Sequence, residues 1–265
     1  MLACYLRLIS AGFRRYSTYR QAVVAGLATN VVFGFMRCAV LLTVFTGTFA
    51  GSARVAGYDP SRTVTFVWIG QGLIAVVQIW GNADFGERIR TGDLAVDLLR
   101  PIDLQVALLA EDLGRAAFAL LTRLTGPLLI GLVFFDLTLP RSALHWAAFG
   151  LSVLLAILVS FAMRFLLNLV AFWLLDWRGL LSLYAAISTA LAGLAIPIAF
   201  FPGWARTVIW ATPFPAILQA PIDIAIARGS AWPLLAHQLA WAVSLLAAGR
   251  LVLARAVRRL VIQGG

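Results

Sequence analysis

The 265-residue chain is 62% hydrophobic and only 12% charged, with a mean hydropathy of +0.93. Soluble domains run near ~45–50% apolar and ~25% charged, so this composition excludes a water-soluble fold and makes lipid the natural solvent of one membrane domain, residues 1–265. The net charge of +10 is carried by arginine alone and sits between apolar runs; it marks retention on one side of a bilayer, not nucleic-acid binding, and the lack of any lysine excludes a P-loop ATPase.

Residues 1–20 carry Arg7, Arg14, Arg15 and Arg20 without a short apolar core or a small-residue cleavage site, so they do not read as a cleaved signal peptide. Leu2, Tyr5, Leu6, Ile9, Phe13 and Tyr16 recur at helical spacing. This predicts an amphipathic helix over residues 1–21, lying in the headgroup layer.

Six apolar stretches are long enough to cross a bilayer: 22–47, 63–81, 116–135, 144–172, 180–201 and 233–254. An even number of crossings puts both termini on one face. With the termini inside, twelve arginines lie on the cytoplasmic side and five outside, which sets a multi-pass protein with both termini cytoplasmic. Trp68, Trp80, Trp146, Trp173, Trp177, Trp204, Trp210 and Trp232 lie toward span ends or outer segments and read as interface anchors.

Polar residues within the spans are few. Asn30 and Arg37 are seven residues apart on the first span, and Gln71 and Gln78 repeat that spacing on the second, giving each span one polar stripe. Arg37 is ~15 residues from the inner edge at ~1.5 Å each, too deep for easy snorkelling, and is expected to line a polar pathway or a subunit contact. Arg123 lies about two turns into the third span. Arg164 and Arg250 are near enough to span ends to snorkel. The amide groups serve equally well as helix–helix glue.

The segment 82–115 holds seven of the eleven acids and four arginines. It reads as a short helix, a turn at Thr91-Gly92, a second helix and a stop at Pro101, presenting a folded, charged surface to the cytoplasm. On the other side, 202–231 is broken by Pro202, Pro213, Pro215 and Pro221, and carries Trp204; it is too apolar for an exposed loop and too short for a span. Short helices re-entering the outer leaflet are expected there, with their backbone buried in protein or lining a wet cavity.

No catalytic set emerges. None of the eleven acids falls within a span as drawn, which disfavours a carrier coupled to ions through a buried carboxylate. His145 and His237 read as structural, Cys4 and Cys38 have no metal or disulfide spacing, and no GxSxG pattern is present. No metal site or cofactor is expected in this chain.

Two motifs carry a resemblance. Ile89, Gly92, Leu94, Leu98, Leu99, Arg100 and Pro101 in ERIRTGDLAVDLLRPID form an "I–x–x–G–x–L … L–L–R–P" pattern, and AIPIAFFPGWARTVIWATPFPAILQAPIDI is a proline-rich outer segment. With the basic N-terminal helix, these resemble the permease subunit of ABC-2 type transporters, in particular the bacterial branch of six-span permeases; a departure is Ala192-Gly193 where the branch usually has Ser-Gly. The resemblance implies an all-α exporter subunit of the bacterial inner membrane, moving a hydrophobic or amphipathic compound, a lipid or a glycan. It implies a second permease chain, identical or paralogous, and two separate P-loop ATP-binding subunits carrying ATP and Mg. Glu87, Arg88, Arg90, Gly92, Asp93, Leu98 and Arg100 would then contact the ATPase, and Asn30, Arg37, Gln71 and Gln78 would line the pathway or the permease–permease seam. A stand-alone secondary carrier and a membrane-embedded enzyme acting on lipid stand as alternatives.

Overall fold

A computed structural model describes residues 2–18, 20–46, 54–174 and 176–259. Gly47, at the end of the expected first span, and the side chains of Arg20, Ala22 and Arg259 lie outside the described residues. The described chain is helical, with no strand beyond an isolated bridge between Val55 and Tyr58.

Helix α1 (Leu2–Ser17) is followed by the long α2 (Arg20–Thr46), α3 (Pro60–Val77), and the short pair α4 (Asp84–Thr91) and α5 (Leu94–Leu98). Helix α6 (Leu104–Ala119) runs through a π-turn at Leu120–Leu124 into α7 (Thr125–Phe134). Helix α8 (Ala143–Leu169) and α9 (Arg178–Leu191) precede three short helices, α10 (Gly203–Trp210), α11 (Phe214–Ile217) and α12 (Gln219–Ala225), and the long α13 (Ala231–Ala256) closes the chain. Among the described residues, four helices are long and apolar enough to cross a membrane: Val23–Thr46, Leu104–Phe134, Ala143–Phe172 and Ala231–Ala256. The chain is an integral membrane protein.

Two expected spans take other forms. The second is α3, started by Asp59, whose carboxylate accepts the Arg62 amide at 2.8 Å, and by Pro60 at the first position. It ends at Val77, short of the expected boundary, because Gln78 turns left-handed (φ 51°, ψ 55°). It is buried along most of its length, so its threonines and Gln71 face protein. The fifth expected span, 180–201, is not one helix. Helix α9 stops at Leu191, Gly193 is left-handed (φ 83°), and 192–197 is irregular before a single 3-10 turn at Ile198–Phe200. Fourteen residues of helix reach ~21 Å, less than the ~30 Å hydrocarbon layer.

The third expected span is part of a longer helix. Asp103 caps α6 by accepting the Val106 amide at 2.9 Å, so residues 104–115, expected in the charged segment, form the foot of a continuous helix. The π-turn falls where Pro127, lacking an amide hydrogen, leaves the ladder one bond short.

Packing follows small residues and apolar faces. Helix α1 lies along α6, and the two backbones approach where Gly12 meets the Glu111 carbonyl and Gly114 meets that of Ile9; a side chain at either would strike backbone. The main core joins α3, α8, α11 and α12, and a second cluster of Phe85, Leu94, Phe161, Phe165 and Leu169 seats α4 and α5 on the end of α8. Two tryptophans expected at the membrane interface are core residues instead: Trp68 packs edge-on against Phe35, and Trp177 is sealed under Gly86. Sequence position shows nearness to a span end, but these rings are covered by neighbouring helices.

Candidate functional site

Four polar residues singled out in the sequence line one cavity of about 520 Å³ beside α2 and α3: Asn30, Arg37, Gln71 and Gln78. The seven-residue spacing places Asn30 and Arg37 on one face of α2, which meets Gln71 on α3, while Gln78 follows at the left-handed end of α3; Asn30 donates its amide to the Gln71 backbone carbonyl at 3.0 Å. Thr189 of α9 and the irregular Leu194 and Ala195 close another wall, with Arg123 of the π-turn near Gly26. Phe33, Ile74, Ile79 and Trp80 make the rest apolar.

Arg37 does not reach toward a headgroup. One terminal nitrogen donates to the Leu194 carbonyl and lies 3.5 Å from that of Ala195, so the guanidinium holds the backbone where α9 unwinds. These carbonyls lie three and four residues past Leu191, in the irregular stretch that follows α9, and each offers only the partial charge of a peptide group. Nε and the other terminal nitrogen have no hydrogen-bond partner among the described residues.

Gln78 also touches a second structure. Its side-chain oxygen accepts from Arg164 at 2.6 Å, and Arg164 donates to Asp112 at 2.8 Å. Arg115 donates to the same carboxylate at 2.7 Å, and its other nitrogens satisfy the Ala75 and Val76 carbonyls at 2.6 and 2.9 Å. Ser160 satisfies the Val77 carbonyl. The last turn of α3 thus ends inside the protein with its carbonyls capped by buried side chains, two cations standing on the negative end of its dipole around one carboxylate. Asn168, one turn beyond Arg164, donates to the Asn82 carbonyl at 2.9 Å and accepts the Gly86 amide at 2.8 Å, which ties α8 to the start of α4.

These contacts correct two expectations. Asp112, expected in the charged segment outside the spans, lies within the helix Leu104–Phe134 and is 8% exposed. Arg164 does not snorkel but is buried against it, whereas Arg250, more than half exposed, pairs with Asp103 at 2.9 Å. Hydropathy registers each charge separately and cannot show that Asp112 and Arg115, three residues apart, neutralise one another on one helix face. That spacing was the available signal.

The α4–α5 face divides the residues predicted there. Arg90, Gly92, Asp93 and Arg100 are exposed; Gly92 makes the left-handed turn (φ 83°) between the helices. Glu87, Arg88 and Leu98 are half-buried. Glu87 accepts from Arg90 and, at 3.2 Å, from Arg178 of α9, and Arg88 pairs with Asp97 to lock α4 to α5. Hydrogen bonding from Arg90, then from Arg178, holds the Glu87 carboxyl below its ordinary pKa and outweighs the opposing desolvation. Beside this polar frame Leu99 is 85% exposed and Val96 60% exposed. A cavity of about 650 Å³ opens between α1, α4, α6 and α8 and reaches Asp112, Arg115 and Arg164.

At the far end of α3, Tyr58 donates to Asp223 at 2.9 Å, Gln219 donates to Tyr58 at 3.0 Å and to Asp223 at 2.9 Å, and Arg228 adds a third bond to Asp223 at 3.1 Å. Asp223, expected at an outer margin, is 2% exposed, because α12 is buried throughout. Of the prolines predicted to break this region, Pro202 and Pro213 cap α10 and α11, while Pro215 and Pro221 lie in first turns, where no amide is needed. Trp204 on α10 projects outward.

Residues 35–264 match the family model described as ABC-2 family transporter protein. No curated protein matches the sequence.

Proposed function

The chain belongs to the ABC-2 family of transporter proteins, and we propose that it is the membrane-spanning permease of an ATP-driven exporter, energised by a separate ATP-binding subunit. The observation that carries this reading is the α4–α5 face. Leu99 and Val96 stand out among charged residues at the end of the bundle, on a chain that has no lysine with which to build an ATP site. An exposed apolar pair rimmed by Arg90, Asp93 and Arg100 suits a protein partner.

In this reading the chain crosses the bacterial inner membrane six times, through α2, α3, α6–α7, α8, α9 with its irregular extension, and α13. Both termini are cytoplasmic, α1 lies in the inner headgroup layer, and α10–α12 sit in the outer half. The ATPase docks on α4–α5. The contacts Gly86–Asn168, Arg164–Asp112 and Arg164–Gln78 link that face to the cavity of Asn30, Arg37, Gln71 and Gln78. That cavity is the transport pathway, completed by a second permease chain.

Arg90→Ala with Asp93→Ala tests the docking face. The double variant should insert normally and lose ATP-driven transport and co-purification of the ATPase. Undiminished transport with the ATPase still bound would remove α4–α5 from the interface. An ion-coupled carrier receives less support, since Asp112 and Asp223 are each held by arginine and neither lines the cavity.

A further inference from the structure

We infer that the α2–α3 cavity takes an amphiphile with an anionic oxyacid head, the head set against Arg37 and the tail along Phe33, Ile74, Ile79 and Trp80; this deepens the pathway reading and rests on it. The cavity wall carries two arginines, Arg37 and Arg123, and among its described lining residues no Asp or Glu. Arg37 belongs to no ion pair among the described residues, and two of its three guanidinium nitrogens lack hydrogen-bond partners. Elsewhere the buried cations are matched: Arg115 and Arg164 share Asp112, and Arg228 holds Asp223.

A guanidinium at this depth in an apolar wall is costly, and its two backbone carbonyl contacts at the end of α9 offer partial charge only. The missing full negative charge is what an oxyacid supplies, as a charge-assisted hydrogen bond in a medium of low dielectric. A cationic amphiphile would meet the like charge of Arg37, with no carboxylate among the described lining residues to offset it. A neutral one would leave Arg37 as it stands. The amides of Asn30, Gln71 and Gln78 can reach polar atoms behind the head. At about 520 Å³ the space lies within the ~300–1,000 Å³ of sites for drug-sized ligands, enough for a head and part of a chain.

The test is photolabelling of the intact complex in a neutral detergent with a diazirine-bearing dodecyl phosphate, read by mass spectrometry on peptides containing Phe33 and Trp80. Dodecyl phosphate should suppress the labelling, and dodecanol and dodecyltrimethylammonium should be weaker competitors by about tenfold or more, the worth of one charge-assisted hydrogen bond. Dodecanoate separates a carboxylate head from a phosphate head, and either one outranking dodecanol supports the inference. Arg37→Gln should weaken labelling about tenfold, and Arg37→Lys, which keeps the charge, should stay within about threefold of the native chain. Equal competition by all heads, preference for the cation, or full labelling of Arg37→Gln would overturn the inference. If Arg37→Gln does not fold, the head-group ranking on the native chain decides alone. Because labelling requires no ATP, loss of head-group preference in a complex that still couples to its ATPase refutes the substrate class only. Preference without any ATPase partner refutes the permease reading only.

Discussion

Asp112→Ala should be among the most damaging single changes outside the cavity. The carboxylate accepts from Arg115 at 2.7 Å and Arg164 at 2.8 Å, with all three side chains under a tenth exposed. Removing one member of a buried ion pair costs about 3–5 kcal/mol, because the partner charge stays buried and unmatched. The loss is not doubled here. Arg115 keeps the Ala75 and Val76 carbonyls at the end of α3, where the helix dipole supplies roughly half a negative charge. Arg164 keeps only the neutral Gln78 and Ser160 side chains. At ~2–4 °C per kcal/mol for a chain of this size, the midpoint of thermal unfolding in detergent should fall by about 6–20 °C. Asp112→Leu combined with Arg164→Met removes carboxylate and cation together and should recover most of that loss, since a buried pair replaced by apolar groups is often neutral. Intrinsic fluorescence, to which the buried Trp68 and Trp177 contribute, reports the transition. A midpoint for Asp112→Ala within ~3 °C of the native chain, about 1 kcal/mol, or a double variant less stable than the single, would refute the charge-balance argument.

Gly114→Val places a side chain against the Ile9 carbonyl and should lift α1 from α6 at a cost of about 1–3 kcal/mol, seen as faster proteolysis within residues 2–18. Tyr58→Phe leaves Asp223 and Gln219 each short of a buried hydrogen bond and should cost about 1–3 kcal/mol in thermal unfolding, whereas Trp204→Phe on exposed α10 should cost little. Amides of α12 should exchange with solvent far more slowly than those of α10, and equal rates would show that α12 is not held inside the protein. Because the folded pKa of Glu87 lies below its unfolded value, its contacts with Arg90 and Arg178 contribute fully above the ordinary carboxylate range and are lost as pH falls through the lower folded value. ATPase coupling should therefore show no step from Glu87 between about pH 5 and 8, and Glu87→Gln should weaken coupling across that whole range.

Helix content, the α4–turn–α5 unit and the shared α2 face of Asn30 and Arg37 were readable in the sequence, because each follows from local signals; the left-handed Gln78 that ends α3 was not. Seven-residue spacing fixes a helix face, Gly92 marks a left-handed turn, and proline marks a first turn. What escaped depends on neighbours in space. The end of α9 looked like continuous apolar helix, since Ala192–Ile196 reads as ordinary apolar sequence until Gly193 turns and Arg37 takes up the freed carbonyls. Trp68 lay near a drawn span end, yet α2 and α7 enclose it. Asp112 looked like a loop acid because its partner Arg164 was assigned to another span, and pairing across helices hides charge from any window of sequence; Asp223 looked like one because the burial of α12 is set by its neighbours in space. Tyr58 gave no signal at all, since its role exists only once α12 is folded beneath it.

A permease driven by another chain should appear, in native mass spectrometry of the tagged protein gently extracted from its own membrane, as a pair of permease chains carrying a pair of P-loop ATP-binding chains. ATP hydrolysis should disappear, together with the ATP-binding chains, in Arg90→Ala with Asp93→Ala. A chain that is isolated alone and moves its cargo along an ion gradient without ATP would contradict the permease reading.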